Sequence, residues 1–374
     1  MNNNHFSGQP ETKDTVIIGG GQAGLTLGYL LSRQQRDFVI LDASERVGDG
    51  WRKRWDSLRL FTPAKFDGLV GMRFPGDRLA FPTKDEQADF LESYAQRFNL
   101  PVLSNTRVDN VERSGESYLV TAGERQWSAS NVVVATGPEE LPKLPSFAQD
   151  LSPTIRQIHS TEYRSPGQLQ DGPVLVVGAG NSGAEIAFEV VRSHPTLLSG
   201  SPSAELPFKH GRTAARFALP LVRFAGLHIL NLDTPFGRKA APSFLTHAAP
   251  LIRTRIRDLA AAGVEIVPRI TGIQDGVPLT AEGNPLEVSN VIWCTGYRHD
   301  YSWLDVPGAL DAAGVPVQRR GVAETSPGLY FLGLEFLYCA ASSSLPGVGR
   351  DAKYLAEHLA ARRAATAGQR QDVG

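Results

Sequence analysis

Two glycine-rich turns, each set between an apolar strand and a helix, constrain the fold of this chain more than any other feature. The first turn follows the apolar run 15–18 and carries glycines at positions 19, 21 and 24. In such a Gly-x-Gly-x-x-Gly turn the first glycine permits the bend, the second admits a pyrophosphate, and the third lets helix and strand pack closely. The helix start also offers N–H groups to phosphates. The predicted dinucleotide contacts are Gly19, Gly21, Gln22, Ala23 and Gly24.

A carboxylate follows the second predicted strand. The strand 37–41 ends at Asp42, which lies 18 residues after Gly24. An acid at this place hydrogen-bonds a ribose hydroxyl in dinucleotide-binding folds. The combination of turn and acid therefore favours an adenine dinucleotide on the first turn.

The second glycine-rich turn begins 159 residues after the first, at Gly178. Each turn is followed later in the chain by an apolar strand that ends in Thr-Gly, so the organisation repeats internally. The pattern predicts an α/β protein of two Rossmann-like dinucleotide-binding domains, one inserted into the other. The further predicted cofactor contacts are Thr136, Gly137, Gly178, Gly180, Asn181, Ser182, Gly183, Ser201 and Gly296.

The expected domain boundaries follow from this insertion. Residues 1–14 are polar and predict a disordered leader. The first domain is expected at 15–165 plus 285–374, and the second at 166–284, including an insertion from about 207 that covers the site.

Composition excludes several classes of protein. Of the 374 residues, 41% are hydrophobic and 21% charged, which is typical of a globular chain of about two domains. The net charge of −1 predicts no nucleic-acid partner and no anionic membrane partner. Cys294 and Cys339 form no Cys-x-x-Cys, so neither a disulfide framework nor a metal site is expected. Since no signal peptide or spanning segment is evident, the sequence predicts a cytoplasmic protein.

Taken in this order, the motifs resemble those of the flavin-containing monooxygenases, a group of two-dinucleotide flavoprotein oxidoreductases. The similarity extends over about residues 14 to 362, and its motifs are the two glycine-rich turns, Gly48-Asp49-Gly50-Trp51, Ala135-Thr136-Gly137 and Cys294-Thr295-Gly296. The resemblance implies FAD on the first domain, with Trp51 packed near it, and NADPH or NADH on the inserted domain.

The same resemblance implies a reaction. A hydride passes to FAD, O₂ is captured as a flavin hydroperoxide, and one oxygen is transferred to a small sulfide, amine or ketone. Folds of this kind commonly form homodimers.

The chain departs from the family pattern at two places. The signature Phe-x-Gly-x-x-x-His-x-x-x-(Trp/Tyr) keeps His159 and Tyr163 but has Pro153 and Ile155 in place of its Phe and Gly. Larger members have an Asn near the flavin where this chain has Phe61. Phe61 is therefore the predicted catalytic-pocket residue at the flavin face, and the lifetime of the hydroperoxide is open.

The sequence shows no charged residue at the position that would distinguish NADPH from NADH. After the strand 196–198 the chain reads Ser199-Gly200-Ser201, where an acid would favour NADH and an Arg would pair with the 2′-phosphate of NADPH. The nearest basic groups are Lys209, His210 and Arg212. We expect both dinucleotides to be accepted.

Other functions stay open at this level. A flavin reductase or NAD(P)H oxidase that passes electrons to O₂ or another acceptor is favoured by Phe61 and the incomplete signature. A dinucleotide-occupied sensor without turnover is disfavoured by the retention of both turns. A disulfide reductase needs a redox cysteine pair, and Cys294 and Cys339 are 45 residues apart.

Overall fold

Two separate sheets carry the two glycine-rich turns. The computed structural model describes residues 9–137, 141–201, 204–246 and 249–371, with side chains up to 364. The strands are β1 (Glu11–Ile18), β2 (Phe38–Leu41), β3 (Val102–Leu103), β4 (Asn110–Ser114), β5 (Ser117–Ala122), β6 (Arg125–Val134), β7 (Leu141–Pro142), β8 (Arg156–His159), β9 (Val174–Val177), β10 (Thr196–Ser199), β11 (Glu265–Val267), β12 (Ile270–Gln274), β13 (Val277–Thr280), β14 (Asn290–Trp293), β15 (Tyr297–Arg298), β16 (Leu304–Asp305), β17 (Gln318–Arg319), β18 (Val322–Ala323) and β19 (Leu329–Phe331).

The helices lie mainly between these strands. They are α1 (Gln22–Arg33), α2 (Asp49–Arg52), α3 (Lys84–Arg97), α4 (Asn181–Val190), α5 (Arg212–Phe224), α6 (Pro235–Thr246), α7 (Ile256–Ala261) and α8 (Leu345–Gln371), and a π-helical turn (Ala225–Ile229) follows α5.

The larger sheet has ten strands, with the central order β16-β4-β5-β6-β1-β2-β3. In its middle, β1 pairs in parallel with β2 and β6, so Val16 lies between Val39 and Val132. These strands read as continuous apolar runs because both faces of the sheet are covered. The strands β4, β5 and β6 pair antiparallel and form a meander at one side.

The smaller sheet has five strands in the order β11-β10-β9-β14-β8, all parallel. It has its own apolar cores on its two faces. The mixed α/β class with two Rossmann-like sheets is confirmed. The expected boundaries near 165 and 285 do not coincide with the limits of this sheet. Its strands β8 and β14 lie before 165 and after 285, in the parts of the chain expected to belong to the first domain. The division into an FAD domain and a nicotinamide domain stays a prediction.

The beginning of the chain differs from the expected leader. Residues 11–14 form the start of β1, because Lys13 pairs with Asp37 and the backbone of this stretch pairs with 127–129 of β6. The predicted disorder of residues 1–8 lies outside the described residues.

The start of α3 follows its sequence signal. Thr83 accepts a hydrogen bond from the Glu86 N–H, and the Glu86 carboxylate accepts one from the Thr83 N–H. This capping box satisfies two N–H groups at the start of the helix. The helix that begins there packs against α2, which carries Trp51.

Within the part of the chain that the structure describes, no helix combines the length and apolarity that crossing a bilayer requires.

Candidate functional site

The first glycine-rich turn is packed too tightly for any other residue at two of its positions. Gly19 has φ of +112°, and a Cβ there would lie 2.4 Å from the carbonyl oxygen of Ala135. A Cβ on Gly24 would lie 1.9 Å from the carbonyl oxygen of Gly19. Because α1 can approach β1 only without these side chains, the glycines fix the position of the helix start.

The middle of the same turn is open. A Cβ on Gly21 would meet no atom within 4 Å, and this residue directly precedes α1. No side chain caps the helix, so its first N–H groups are directed into that space. The side chain of Gln22 donates instead to the carbonyl of Ser343, and Ala23 is buried against Gly333.

Asp42 lies at the carboxyl end of β2, where it closes the turn. Its Oδ2 accepts from the N–H of Gly20 at 2.8 Å, and its Oδ1 accepts from the N–H of Ser44 at 2.7 Å. Each carboxylate oxygen can accept a second hydrogen bond. The predicted ribose contact therefore remains compatible with the protein bonds that orient Asp42.

The short helix α2, which carries Trp51, is held by a set of ion pairs. Gly48 has φ of +91° and lies against Ala88 of α3. From α2, Arg52 pairs with Asp49 and reaches Asp89 and Glu92 of α3. Trp51 is half-buried against the core beneath α1 and α3.

The second turn repeats the geometry of the first. Gly178 has φ of +111°, and its Cβ would lie 2.3 Å from the carbonyl oxygen of Cys294. A Cβ on Gly183 would lie 1.8 Å from the carbonyl oxygen of Gly178. Gly180 directly precedes α4, which again has no side-chain cap. The two turns thus agree to 0.1 Å in both close approaches.

Three other predicted nicotinamide contacts have different surroundings, two of them at the start of α4 and one just after β10. Asn181 already bonds the protein, because it donates to the Pro250 carbonyl and accepts from the Ile252 N–H. Ser182 is half-buried, and Ser201 is exposed just after β10. Asn181 therefore holds the segment before α7, which sequence spacing does not reveal.

The two Thr-Gly turns are open in the same manner. Gly137 and Gly296 have φ of +84° and +87°, and a Cβ on either would meet no atom within 4 Å. Thr136 is half-buried, while the Thr295 hydroxyl donates to the Lys143 carbonyl. These turns leave space beside the strand ends.

His159 orders the turn at Gly296. The Thr161 N–H donates to its Nδ1, so Nε2 carries the proton and donates to the Gly296 carbonyl at 3.1 Å. Burial lowers the pKa of His159, which keeps the ring neutral. Together with the Tyr163 hydroxyl, which donates to Glu189, the retained signature residues act as structural groups.

Phe61 lies where the inserted helices approach the first domain. The residue is 40% exposed, and its carbonyl accepts a hydrogen bond from the Nε2–H of His210 at 2.9 Å. His210 also contacts the ring of Phe81, and Arg212 pairs with Asp77. Two of the three basic groups nearest to Ser201 in the sequence, His210 and Arg212, are therefore bonded to Phe61 and Asp77.

Two buried polar groups near this segment have no signal in the sequence. Asp67 is fully buried, and desolvation raises its pKa to about 8 although the Thr62 hydroxyl donates to its Oδ1. Gln87 of α3 is fully buried, and its amide has no hydrogen-bond partner among the described residues. The burial of a single side chain by segments distant in the sequence produces no periodic pattern of residues, so it cannot be predicted from the sequence.

Known proteins resemble this chain over most of its length. Residues 16–199 match the family model described as pyridine nucleotide-disulphide oxidoreductase. The chain is 40% identical to an uncharacterized CzcO-like oxidoreductase of Geobacillus kaustophilus over 91% of this chain and 97% of the relative. It is 28% identical to the probable indole-3-pyruvate monooxygenase YUCCA3 of Arabidopsis thaliana over 80% of this chain and 77% of the relative. The solved flavin-containing monooxygenase of Stenotrophomonas maltophilia is similar with a TM-score of 0.75 and 30% identity, over 94% of this chain and 99% of that chain.

Proposed function

Because this chain belongs to the flavin-dependent oxidoreductases of the flavin-containing monooxygenase family, we propose that it uses NADPH or NADH and O₂ to oxygenate a small sulfide, amine or ketone. The observation that carries the proposal is the pair of matching turns. Each has two close approaches that exclude side chains and stands at the uncapped start of a helix. Two dinucleotides with opposite roles, a hydride donor and a hydride acceptor, fit this duplication.

The residues of the first turn fit FAD. The open space at Gly21 would admit the pyrophosphate, and the N–H groups that begin α1 would bind it. Asp42 would hold the ribose, and Trp51 would pack against the remainder of the cofactor. The buried amide of Gln87, on the helix α3 that contacts α2, has no hydrogen-bond partner among the described residues, which supports a bound group beside α3.

The bound cofactors supply the redox chemistry, and the protein supplies position and dryness. Desolvation raises the pKa of Cys294 to about 12, and it also raises the pKa of Cys339. Neither thiol is a nucleophile near neutral pH, since the thiolate is the reactive form. The thiols therefore give no support to a route through protein sulfur.

The nicotinamide would bind at Gly178, Gly180 and Gly183 with little discrimination. Ser201 provides neither a carboxylate nor a cation at the place where the 2′-position is recognised. His210 and Arg212 bond to Phe61 and Asp77, which withdraws them from that position. Both NADPH and NADH are therefore proposed as donors.

A reductase or oxidase is the second candidate function. It is favoured by Phe61, whose side chain offers no hydrogen bond at the expected flavin face and is exposed. Water that reaches this face would shorten the life of any oxygenated cofactor and release peroxide.

Stopped-flow spectroscopy distinguishes the two functions. The purified protein with FAD is reduced anaerobically with NADPH and then mixed with O₂ while the flavin absorbance is recorded. A resolved optical intermediate before the oxidised spectrum returns, with oxygenated product from a sulfide or ketone, is the expected result. Direct reoxidation with peroxide equal to the NADPH consumed would contradict the monooxygenase and establish the oxidase.

A further inference from the structure

The inserted helices present an unusual concentration of exposed apolar side chains. Among the described residues, eleven large apolar side chains are exposed, and seven of them lie within 217–245. Isolated exposed apolar residues are ordinary, whereas several of them on one face of a helix indicate an interaction surface. We define this inserted surface by Phe217, Leu221, Val222, Phe224, Ile229, Phe236 and Leu245.

The spacing along α5 places three of these side chains on one face. Phe217, Leu221 and Phe224 are 64%, 70% and 56% exposed, and they follow one another at i, i+4 and i+7. Residues at this spacing lie in one row of a helix. The other face of α5 is buried through Ala215 and Leu219, so the apolar row is directed away from the protein.

Positive charge accompanies the inserted surface. The described residues 204–246 contain six Lys and Arg residues and two acids, which gives this segment a net charge of +4 in a chain of −1. Arg216 and Arg223 lie on α5, and Arg238 and Lys239 on α6, all exposed. Arg223 and Lys65 both lie over the ring of Phe66, which adds a cation beside the same helix.

The inserted surface rests on a fixed base. The Tyr338 hydroxyl donates to Asp233 at 2.6 Å, and Arg350 of α8 donates to the Leu227 carbonyl while lying over the Tyr338 ring. One of the two acids is thus engaged at the base, away from the apolar row. These bonds fix the π-helical turn and the segment before α6 to Tyr338 and α8.

We propose that the inserted surface docks on an anionic lipid bilayer, with the apolar row in the interface and the cations on the headgroups. An apolar face flanked by Arg and Lys is the chemistry of helices that lie in a membrane interface. A second copy joined by a two-fold axis would bring this positively charged surface against an identical positively charged surface, which opposes such a contact. The net charge of −1 for the whole chain does not reveal this local excess of positive charge.

Vesicle flotation tests the proposal with the full-length protein. The probes are vesicles of phosphatidylcholine alone and vesicles that also contain phosphatidylglycerol. We expect binding to the anionic vesicles, weaker binding to the neutral ones, and release at high salt. The triple variant Phe217→Ser, Leu221→Ser, Phe224→Ser should lose at least about tenfold in partitioning, because each apolar side chain contributes its own transfer free energy.

Matched variants separate charge from exposure. Arg216→Gln and Arg223→Gln should each weaken anionic-vesicle binding by about fivefold. The control variants Leu144→Ser with Val315→Ser, and Arg319→Gln, change equally exposed residues elsewhere and should bind as the natural chain does. Circular dichroism and thermal unfolding verify that each variant is folded.

Three outcomes would overturn the proposal. The first is that the natural chain does not float with anionic vesicles. The second is that the triple variant floats as well as the natural chain. The third is that light scattering finds a dimer for the natural chain and a monomer for the triple variant, while neither protein binds vesicles. The last result would assign the surface to a contact between copies. None of these measurements depends on turnover, so they are independent of the proposed oxygenation.

Discussion

A Cβ atom on Gly24 would lie 1.9 Å from the carbonyl oxygen of Gly19, and the corresponding approach between Gly183 and Gly178 is 1.8 Å. The same steric condition is therefore built twice, 159 residues apart. By contrast, the neighbouring Gly21 has open space at its Cβ position. Substitution of the closely packed glycine and of the open glycine in the same turn should therefore affect different properties, namely stability and cofactor binding.

Gly24→Ala should destabilise the protein itself, whereas Gly21→Ala should impair FAD binding alone. The first substitution forces a methyl group into backbone and should cost about 3 kcal/mol of unfolding free energy. The second fits the apoprotein but fills the space expected for the pyrophosphate, and should raise the FAD Kd at least about tenfold. Apoprotein thermal unfolding and fluorescence titration with FAD measure the two effects. Unchanged FAD affinity in Gly21→Ala would contradict this placement of the cofactor.

Asp67→Asn should stabilise the protein increasingly as the pH rises. The folded chain holds the Asp67 proton up to a pKa of about 8, whereas the unfolded chain releases it near 3.8. The folded state therefore binds more protons between these values, and its stability falls with pH by at most about 1.4 kcal/mol per unit. An Asn keeps the acceptor for Thr62 and does not ionise.

The measurement is chemical unfolding of both proteins from pH 5 to 9. The matched control is Asp77→Asn, an exposed carboxyl whose pKa is lowered by its hydrogen bond from Arg212. A stability difference between Asp67→Asn and the natural chain that stays constant over this range would refute the protonated Asp67.

Ser201→Arg should create a preference for NADPH. Ser201 is exposed just after β10 and offers no charge to the 2′-position. A guanidinium there would form charge-assisted bonds with the 2′-phosphate and should raise the ratio of kcat/KM for NADPH over NADH by about tenfold. Ser201→Asp should shift the ratio the other way. Steady-state kinetics with both donors decide the matter, and equal ratios in all three proteins would place the 2′-position elsewhere.

Arg253→Met alone should lower the free energy of unfolding more than the double substitution Arg253→Met, Glu185→Gln. Arg253 pairs with the largely buried Glu185 of α4 at 2.5 Å and also donates to the Arg59 carbonyl. Removing the cation leaves a buried carboxylate unpaired, at a cost of about 3 kcal/mol. Adding Glu185→Gln should recover part of that loss. Equal unfolding free energies for the single and double variants would show that this pair is not coupled.

Phe61→Asn should improve the coupling of hydride consumption to oxygenation. It restores a hydrogen-bonding side chain at the proposed flavin face, while the Phe61 carbonyl bond to His210 is a backbone contact and can persist. We expect less peroxide per NADPH consumed, with Phe61→Leu as the apolar control. A peroxide yield that is the same in both variants would remove this residue from the pocket.

Local signals account for the parts of the fold that were predicted correctly. The glycine spacing, the apolar strands and the pair Thr83 and Glu86 each act over fewer than ten residues, so their consequences are visible in the sequence. The insertion of one α/β unit in another followed from the repetition of those signals. Its exact edges did not, because β8 and β14 join the smaller sheet through pairing with β9 and with each other.

The sequence by itself thus determined two glycine-rich turns, their sheets and the family to which the chain belongs. Only the tertiary structure decided that His210 bonds to Phe61, that Asn181 holds the segment before α7, and that Asp67 loses its water. It also decided that the apolar row Phe217, Leu221 and Phe224 of α5 is exposed and that Arg216 and Arg223 on the same helix are exposed as well. The physical reason is range: steric and hydrogen-bonding rules of a turn act between neighbours in the chain, whereas burial and clustered charge depend on segments that folding brings together.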